Sequence, residues 1–295
     1  MVCFPCLVAK LHFVFHTMEI KAEFFWNNGW KEPDSLKMSE NRSFLFGDGF
    51  FESMRFYPDQ LTELWPFHWD RLQRSIRALQ FPWPNELTES FFLREIRSRI
   101  PKQTEKDIRV KILFFRTGEG RYTPENCGLA FLLNLDICPQ PWVQTITKIA
   151  KAETVFLGKH TFSWIKTTSA QPYVMANLER HQRNMDDLLL CDENGNVVEG
   201  CYSSICWQKD GTLFFPSRDL GGFDSCHRRF LESYWTRTGQ PFTETIQKAE
   251  EVLAADWICS GGATGIRIWL KDGIPFPSEE FALYPPRPMD YPSLL

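Results

Sequence analysis

An α+β fold in two parts is what the sequence predicts, and three observations predict it. Apolar residues alternate with a period of two in some segments and recur every three to four positions in others. The chain has 295 residues, enough for two units of about 150 each. Cys138-Pro-Gln-Pro-Trp142 places two prolines where neither a helix nor a strand continues. The expected organisation is an extension over 1–17, a smaller α/β unit over 18–137, a linker over 138–143 and a larger unit over 144–295. A hydrophobic content of 43% and a charged content of 24% suit a globular protein with a sizeable core.

The elements follow in order. From Phe24 the segment FFWNNGW reads as strand and turn, and Ser43 to Tyr57 alternates around Gly47-Asp-Gly49 as a strand. His68 to Leu79 has helical spacing, with Leu72, Ile76 and Leu79 on one side, and Asn85 to Ile100 is a second amphipathic helix ended by Pro101. Strands are expected at Ile108–Phe115, Leu129–Ile137 and Thr145–Phe156, then a helix over Ala170–Met185. Asn194-Gly195 and Asp210-Gly211 mark two hairpins, because both dipeptides tolerate positive φ. Helices near Arg228–Trp235 and Glu250–Ala255, a strand at Trp257–Cys259, a loop over SGGATG and a hairpin at Lys271-Asp-Gly273 complete the reading.

Composition excludes several classes. A net charge of −4 lacks the basic excess of a nucleic-acid binder. Nine cysteines, an odd number without framework spacing, are expected as reduced thiols in a cytoplasmic protein. Cys3 and Cys6 have the spacing of half a zinc site, but no second pair accompanies them, so no metal site is expected. Residues 1–17 are apolar, yet Lys10 and His12 interrupt a run already too short to span a bilayer.

Two residues stand out chemically. DENGNVVE, over 192–199, reads as a turn and then a strand that ends on Glu199, a carboxylate where an apolar residue is expected. Lys166, in SWIKTTSA, sits in an uncharged stretch. A lysine in apolar surroundings loses its proton more readily and serves as a Schiff-base nucleophile. Taken singly, each has a plainer reading: a snorkelling surface lysine and a hairpin-end carboxylate.

Taken together and in order, FGDGFFESMRFY, HWDRLQRS, the lysine of IKTTSA, LLLCDENGNVVEGCYSSI and TLFFPSRD resemble the class IV pyridoxal-phosphate enzymes. This fold-type IV group contains branched-chain aminotransferases, D-amino acid aminotransferases and aminodeoxychorismate lyases. The resemblance runs from about Phe24 to Trp269. It implies a small N-terminal α/β domain, a larger domain with a β-barrel-like core, pyridoxal 5'-phosphate as cofactor, a small amine carrying a carboxylate as substrate, and a homodimer. It implies Lys166 as the cofactor-binding and proton-shuttling residue, and Glu199 as partner of the pyridine nitrogen. Arg71 would anchor the phosphate, together with the backbone amides of Cys226 and His227 at a helix start.

The chain also departs from that pattern. Ser225-Cys-His-Arg228 replaces the usual Gly-Ile-Thr-Arg, Ser203-Ser204 follows the glutamate, and Gly262 stands where a phosphate-binding threonine is common. Ser225, His227 or Thr264, beside Ala263, are candidates to replace the missing hydroxyls. Phe46, Phe51 and Arg55 match pocket positions. Arg116-x-Gly-x-Gly-Arg121-Tyr122 resembles the corresponding stretch of the lyases, where two arginines suit a substrate with two carboxylates; Arg109 is the rival carboxylate ligand of a transaminase. Three activities remain open: aminodeoxychorismate lyase, branched-chain or D-amino acid transaminase, and a family member kept only for binding.

Overall fold

Strands β1 (Glu23–Trp26) and β2 (Gly29–Lys31) pair antiparallel around the NNG segment, with Trp26 opposite Gly29. The computed structural model describes residues 23–26, 29–31, 41–57, 61–62, 64–101, 104, 106–138, 142–262, 265–273 and 288–289. The expected extension over 1–17, linker residues 139–141, Ala263, Thr264 and the second arm of the hairpin at Lys271–Gly273 therefore lie outside the described residues.

The next element corrects the sequence reading. Residues 42–46 form a short helix, α1 (Arg42–Phe46), where an alternating strand was expected. The Asn41 side chain caps it by accepting from the Phe44 amide at 3.0 Å, and Gly47 ends it at φ 66°. Local capping overrides alternation here, because Phe44, Leu45 and Phe46 have no core to face and stay exposed. The strand then runs as β3 (Gly49–Phe56), followed by β4 (Leu61–Thr62).

Helices α2 (Trp65–Ala78) and α3 (Glu89–Arg99) match the expected amphipathic pair. The long hairpin β5 (Ile108–Glu119) and β6 (Glu125–Ile137) extends beyond both predicted strands. The expected strand over 145–156 splits into β7 (Val143–Ile146) and β8 (Ile149–Phe156). Asp186 fixes the break by accepting from the Thr147 and Lys148 amides, both at 2.9 Å. Helix α4 (Gln171–Gln182) leads to the hairpin β9 (Asp187–Cys191) and β10 (Val197–Gly200). A second hairpin joins β11 (Ser204–Lys209) to β12 (Thr212–Pro216), with Asp210 and Gly211 both at positive φ. Then come α5 (Cys226–Thr238), β13 (Phe242–Thr245), α6 (Ala249–Leu253), β14 (Trp257–Gly262), β15 (Gly265–Leu270) and β16 (Pro288–Met289).

Five strands from before residue 138 form one antiparallel sheet in the order β2-β1-β6-β5-β3. The barrel-like core that the resemblance implies takes the form of two further sheets, β10-β9-β8 and β13-β12-β11-β14-β15-β7. These two share a core, in which Leu189 and Val197 of the smaller sheet pack with Ile205, Trp207 and Ile258 of the larger. The five-stranded sheet builds a separate aromatic core of Phe50, Phe92, Phe114 and Phe131 under α2 and α3. Strand β3 lies at the edge of that sheet, and its free edge is where the segment carrying Lys166 attaches.

Candidate active site

Lys166 is held by backbone. Its carbonyl accepts from the Phe51 amide at 2.8 Å, and the Thr168 amide donates to the Gly49 carbonyl at 2.9 Å. Two glycines make this approach possible. A Cβ on Gly47 would lie 2.4 Å from Ser169 Oγ, and one on Gly49 would lie 2.7 Å from the Phe114 carbonyl oxygen and 3.2 Å from Thr168 Cγ2. The Gly-Asp-Gly of the first motif is therefore a docking surface for the lysine segment.

The lysine amine enters a cavity of about 980 Å³ whose wall also includes Phe51, Arg71, Arg109, Ser203 and Cys226. Its Nζ sits 4.2 Å from the ring centroid of Phe223 and 5.8 Å from that of Phe51. Burial pushes the ammonium down to about 8, and repulsion from Arg71 adds to the effect. Glu199 is 1% exposed and faces an adjoining larger cavity of about 1320 Å³, which shares Ser204 and Phe223 with the first. The smaller cavity is the candidate reaction chamber, because it holds the lysine. Tyr173 Oη donates to Glu199 Oε1 at 2.5 Å, and the Phe223 amide donates to Oε2 at 3.3 Å. Burial raises the Glu199 carboxyl above its usual range, against the pull of Tyr173 and Lys166. A cation placed beside it would restore the carboxylate. The Tyr173 ring stacks on Phe223 with centroids 4.8 Å apart, so one aromatic pair orients the carboxylate and roofs the amine. Neither Tyr173 nor Phe223 carried a signal in the sequence, since both read as ordinary apolar positions.

At the other end, Arg71 is 2% exposed. It forks onto Glu52 through Nε at 2.7 Å and Nη2 at 2.6 Å, and donates from Nη1 to the Asp224 carbonyl at 2.9 Å. A guanidinium has five N–H donors, so two remain for an anion. Glu52 also meets His68 Nδ1 at 3.0 Å, and Cys226 Sγ lies 3.4 Å from the same nitrogen. Burial alone would raise the Glu52 carboxyl, but Arg71 outweighs it and holds Glu52 down at about 2. His68 is pushed up to about 9: Cys226 and Glu52 overcome the opposing effect of burial. Glu52, His68 and Cys226 also form the one group of three potential metal donors among the described residues. Arg71 already spans both oxygens of Glu52, so the group reads as an ion-paired cluster. Its signal was in the sequence: His68 and Arg71 lie on the same buried stripe of α2 as Leu72 and Ile76.

Helix α5 begins beside this cluster at Cys226, as the resemblance requires. The first amides of a helix have no acceptor within it and suit an anion. Ser225 caps the helix, its Oγ accepting from the Arg228 amide at 3.3 Å. The His227 ring does not face the cavity; it packs on Gly261, where a Cβ would lie 1.9 Å from His227 Cε1. Burial takes its imidazolium down to about 3. Ser204 Oγ donates to the Gly261 carbonyl at 3.3 Å, while Ser203, Ser204, Ser225 and Gly262 line the cavity.

Of the expected substrate ligands, the structure brings Phe51 and Arg109 to the cavity and leaves five elsewhere. Arg55 pairs with Asp107 and stacks on Trp142. Arg116 is 8% exposed and spends its donors on Asp48 at 3.3 Å and on the Gln80 and Leu79 carbonyls at 2.9 and 2.7 Å, with Phe81 beneath. Its motif is architectural, tying the Gly-Asp-Gly turn to the end of α2. Arg42 completes that tie through Asp48 and the carbonyls of Glu119, Gly120 and Arg121. Arg121 and Tyr122 are exposed, and Tyr122 lies against Phe46 at 5.8 Å. The cavity wall also holds an arginine that the sequence reading missed, Arg267 on β15.

Known proteins share sequence and fold with this chain. An aminodeoxychorismate lyase from Vibrio harveyi is 25% identical over 242 residues, covering 80% of this chain and 87% of the relative. Among solved structures, a branched-chain aminotransferase from Thermoproteus uzoniensis with norvaline superposes with a TM-score of 0.72 at 19% identity, covering 85% of this chain and 88% of that one. A 4-amino-4-deoxychorismate lyase from Pseudomonas aeruginosa gives 0.70 at 20% identity, covering 85% and 94%. The family model for amino-transferase class IV matches residues 49–268, a span containing both Lys166 and Glu199, and the chain belongs to that family.

Proposed function

We propose that the chain is a pyridoxal-phosphate-dependent lyase that eliminates pyruvate from 4-amino-4-deoxychorismate to give 4-aminobenzoate. The observation that carries this reading is the cavity that the buried Lys166 amine and the Arg109 guanidinium both line, with Arg109, the carboxylate ligand expected of a transaminase, taking the place of Arg116 and Arg121. The donor set fits the cofactor: two spare N–H groups on Arg71 and the first turn of α5 for a phosphate, and Glu199 for a protonated ring nitrogen. Bound there, the cofactor supplies an electron sink for the bond broken at the amine-bearing carbon. Lys166 takes the proton from that carbon and later returns one. Tyr173 holds Glu199 in place, so that its charge keeps the ring nitrogen protonated. Phe223 and Phe51 exclude water from the amine. Arg109 orients a substrate carboxylate. Loss of the carbon proton to Lys166 expels the enolpyruvyl oxygen with its electron pair, the departing enolate takes up a proton at its terminal carbon to become pyruvate, and the ring becomes aromatic. No second substrate is needed.

A transaminase for branched-chain amino acids is the second reading, favoured by the apolar Phe51, Phe156 and Phe162 around the same cavity. The assay that separates them offers 4-amino-4-deoxychorismate alone and measures both products over many turnovers. Release of both supports the lyase. Silence there, with amino transfer from leucine to 2-oxoglutarate, would overturn it. A homodimer belongs to this proposal, supported by the exposed Val174, Met175 and Leu178 on α4 and Phe44 and Leu45 on α1.

A further inference from the structure

We infer that Arg267, laid on Tyr202, forms a second carboxylate-binding subsite in the lysine cavity, so that the site is built for an amine with two carboxylates. This rests on the proposed reading and deepens it. Strand β15 alternates: Ile266 and Ile268 enter the core, while Arg267 between them takes the other face, on the cavity wall. Its guanidinium lies over the Tyr202 ring, 4.2 Å from the centroid. Stacking fixes the plane of the fork and leaves its N–H edge available, the presentation that suits a planar carboxylate.

That edge makes one long ion pair with the protein and no hydrogen bond. The nearest carboxylate among the described residues is Asp187, whose Oδ2 lies 3.8 Å from Arg267 Nη1, beyond hydrogen-bonding reach. Asp187 has its own donors: the Leu188 and Cys201 amides at 2.9 and 3.0 Å on Oδ1, and the Ser260 hydroxyl at 2.7 Å on Oδ2. Arg116 and Arg55 are spent on internal partners, as described above. Arg267 is held in orientation without being consumed, with 29% of its side chain exposed. Tyr202 sits on the turn that directly follows Glu199, and Asp187 grips the same turn through the Cys201 amide. The subsite is therefore positioned by the element that positions Glu199. An isolated guanidinium in a wet cavity gains little; one facing a partly desolvated carboxylate gains a charge-assisted pair.

The test uses holoenzyme and two rings of the same shape, benzoate and isophthalate (benzene-1,3-dicarboxylate), with binding followed by calorimetry. Wild-type protein is expected to prefer isophthalate by about tenfold or more, the scale of one hydrogen-bonded charge pair. Arg267→Gln should abolish that preference while leaving benzoate affinity and the cofactor's visible band unchanged. Tyr202→Phe keeps the stacking face and should behave as wild type, whereas Tyr202→Ala should lose much of the preference. If Arg267→Gln retains the preference, the second carboxylate is held elsewhere and the inference fails while the lyase reading stands. If wild-type protein shows no preference, the inference fails, and the single-substrate assay then decides whether the lyase reading falls with it.

Discussion

The most buried polar groups, on the inner side of the site, already have protein partners: Glu199 has Tyr173 and the Phe223 amide, and Arg71 has Glu52 and the Asp224 carbonyl. The half-buried Arg109 and Arg267 line the cavity wall with no hydrogen bond of their own among the described residues, Arg267 keeping only a long ion pair with Asp187. On the proposed function, the difference separates two tasks. Groups that must hold a charge or a proton at one atom are fixed before anything binds, which spares reorganisation during reaction. Groups that select a substrate keep their donors for it. Changes at the inner end should therefore appear in turnover, and changes at the wall in substrate affinity.

The largest effect is expected for Lys166→Ala, which should lose the visible cofactor band, borohydride labelling at position 166 and detectable turnover. Labelling at another lysine in the wild-type protein would refute the assignment. The same lysine gives a pH test. Because burial brings its ammonium down to about 8, the neutral, nucleophilic amine grows about tenfold per pH unit below that point and levels above it. Cofactor-free protein mixed with pyridoxal phosphate should form the visible band at a rate following that curve. A rate still climbing steeply at pH 10 would indicate an unperturbed lysine.

Glu199→Gln comes next. It removes a charge while keeping the shape, so Tyr173 still has an acceptor and packing survives. Turnover should fall by at least about a hundredfold, about 2.7 kcal/mol of transition-state stabilisation, with little change in melting temperature. Full turnover in a cofactor-loaded variant would reduce the inner end to scaffolding.

How much of this was legible in the sequence follows the same division. The hairpin at Asn194-Gly195 put Glu199 at a strand end because turn chemistry is local, and α2 and α3 emerged because their apolar stripes are long. Lys166 and Glu199 stood out as charges in apolar surroundings, which is what burial looks like in one dimension. Helix α1 was misread because Phe44, Leu45 and Phe46 imitate a strand, while a cap at Asn41 and a left-handed Gly47 decide the conformation. β13 went unseen because it pairs in parallel with β12 and only Phe242 of its four residues is apolar. Tyr173, Phe223 and Arg267 were invisible, because what matters in each is a contact with a residue 24 or more positions away or, for Arg267, a stack on Tyr202. Residue type says that an arginine can bind a carboxylate. Only the partners it already has say whether it does.

At the wall, Arg109→Lys should raise KM about tenfold with kcat nearly unchanged, since a point charge replaces a fork. A fall in kcat with KM unchanged would move Arg109 from selection to chemistry.

The smallest catalytic effect is expected at Arg116, and it is the sharpest test of the contrast, because its sequence motif suggested a substrate ligand. Lysine can keep the ion pair with Asp48 but cannot reach the Gln80 and Leu79 carbonyls at the same time. Those part-buried acceptors would lose their donors to water, at about 0.5–1.5 kcal/mol of stability. Arg116→Lys should therefore lower the melting temperature while KM and kcat stay within about twofold of wild type in the folded fraction, a change of about 0.4 kcal/mol at most. The loss should also loosen the Gly-Asp-Gly turn against which the Lys166 segment docks, so slower formation of the visible band on cofactor addition is the accompanying sign. A variant of unchanged stability with a KM raised about tenfold would place Arg116 among the substrate-selecting arginines after all.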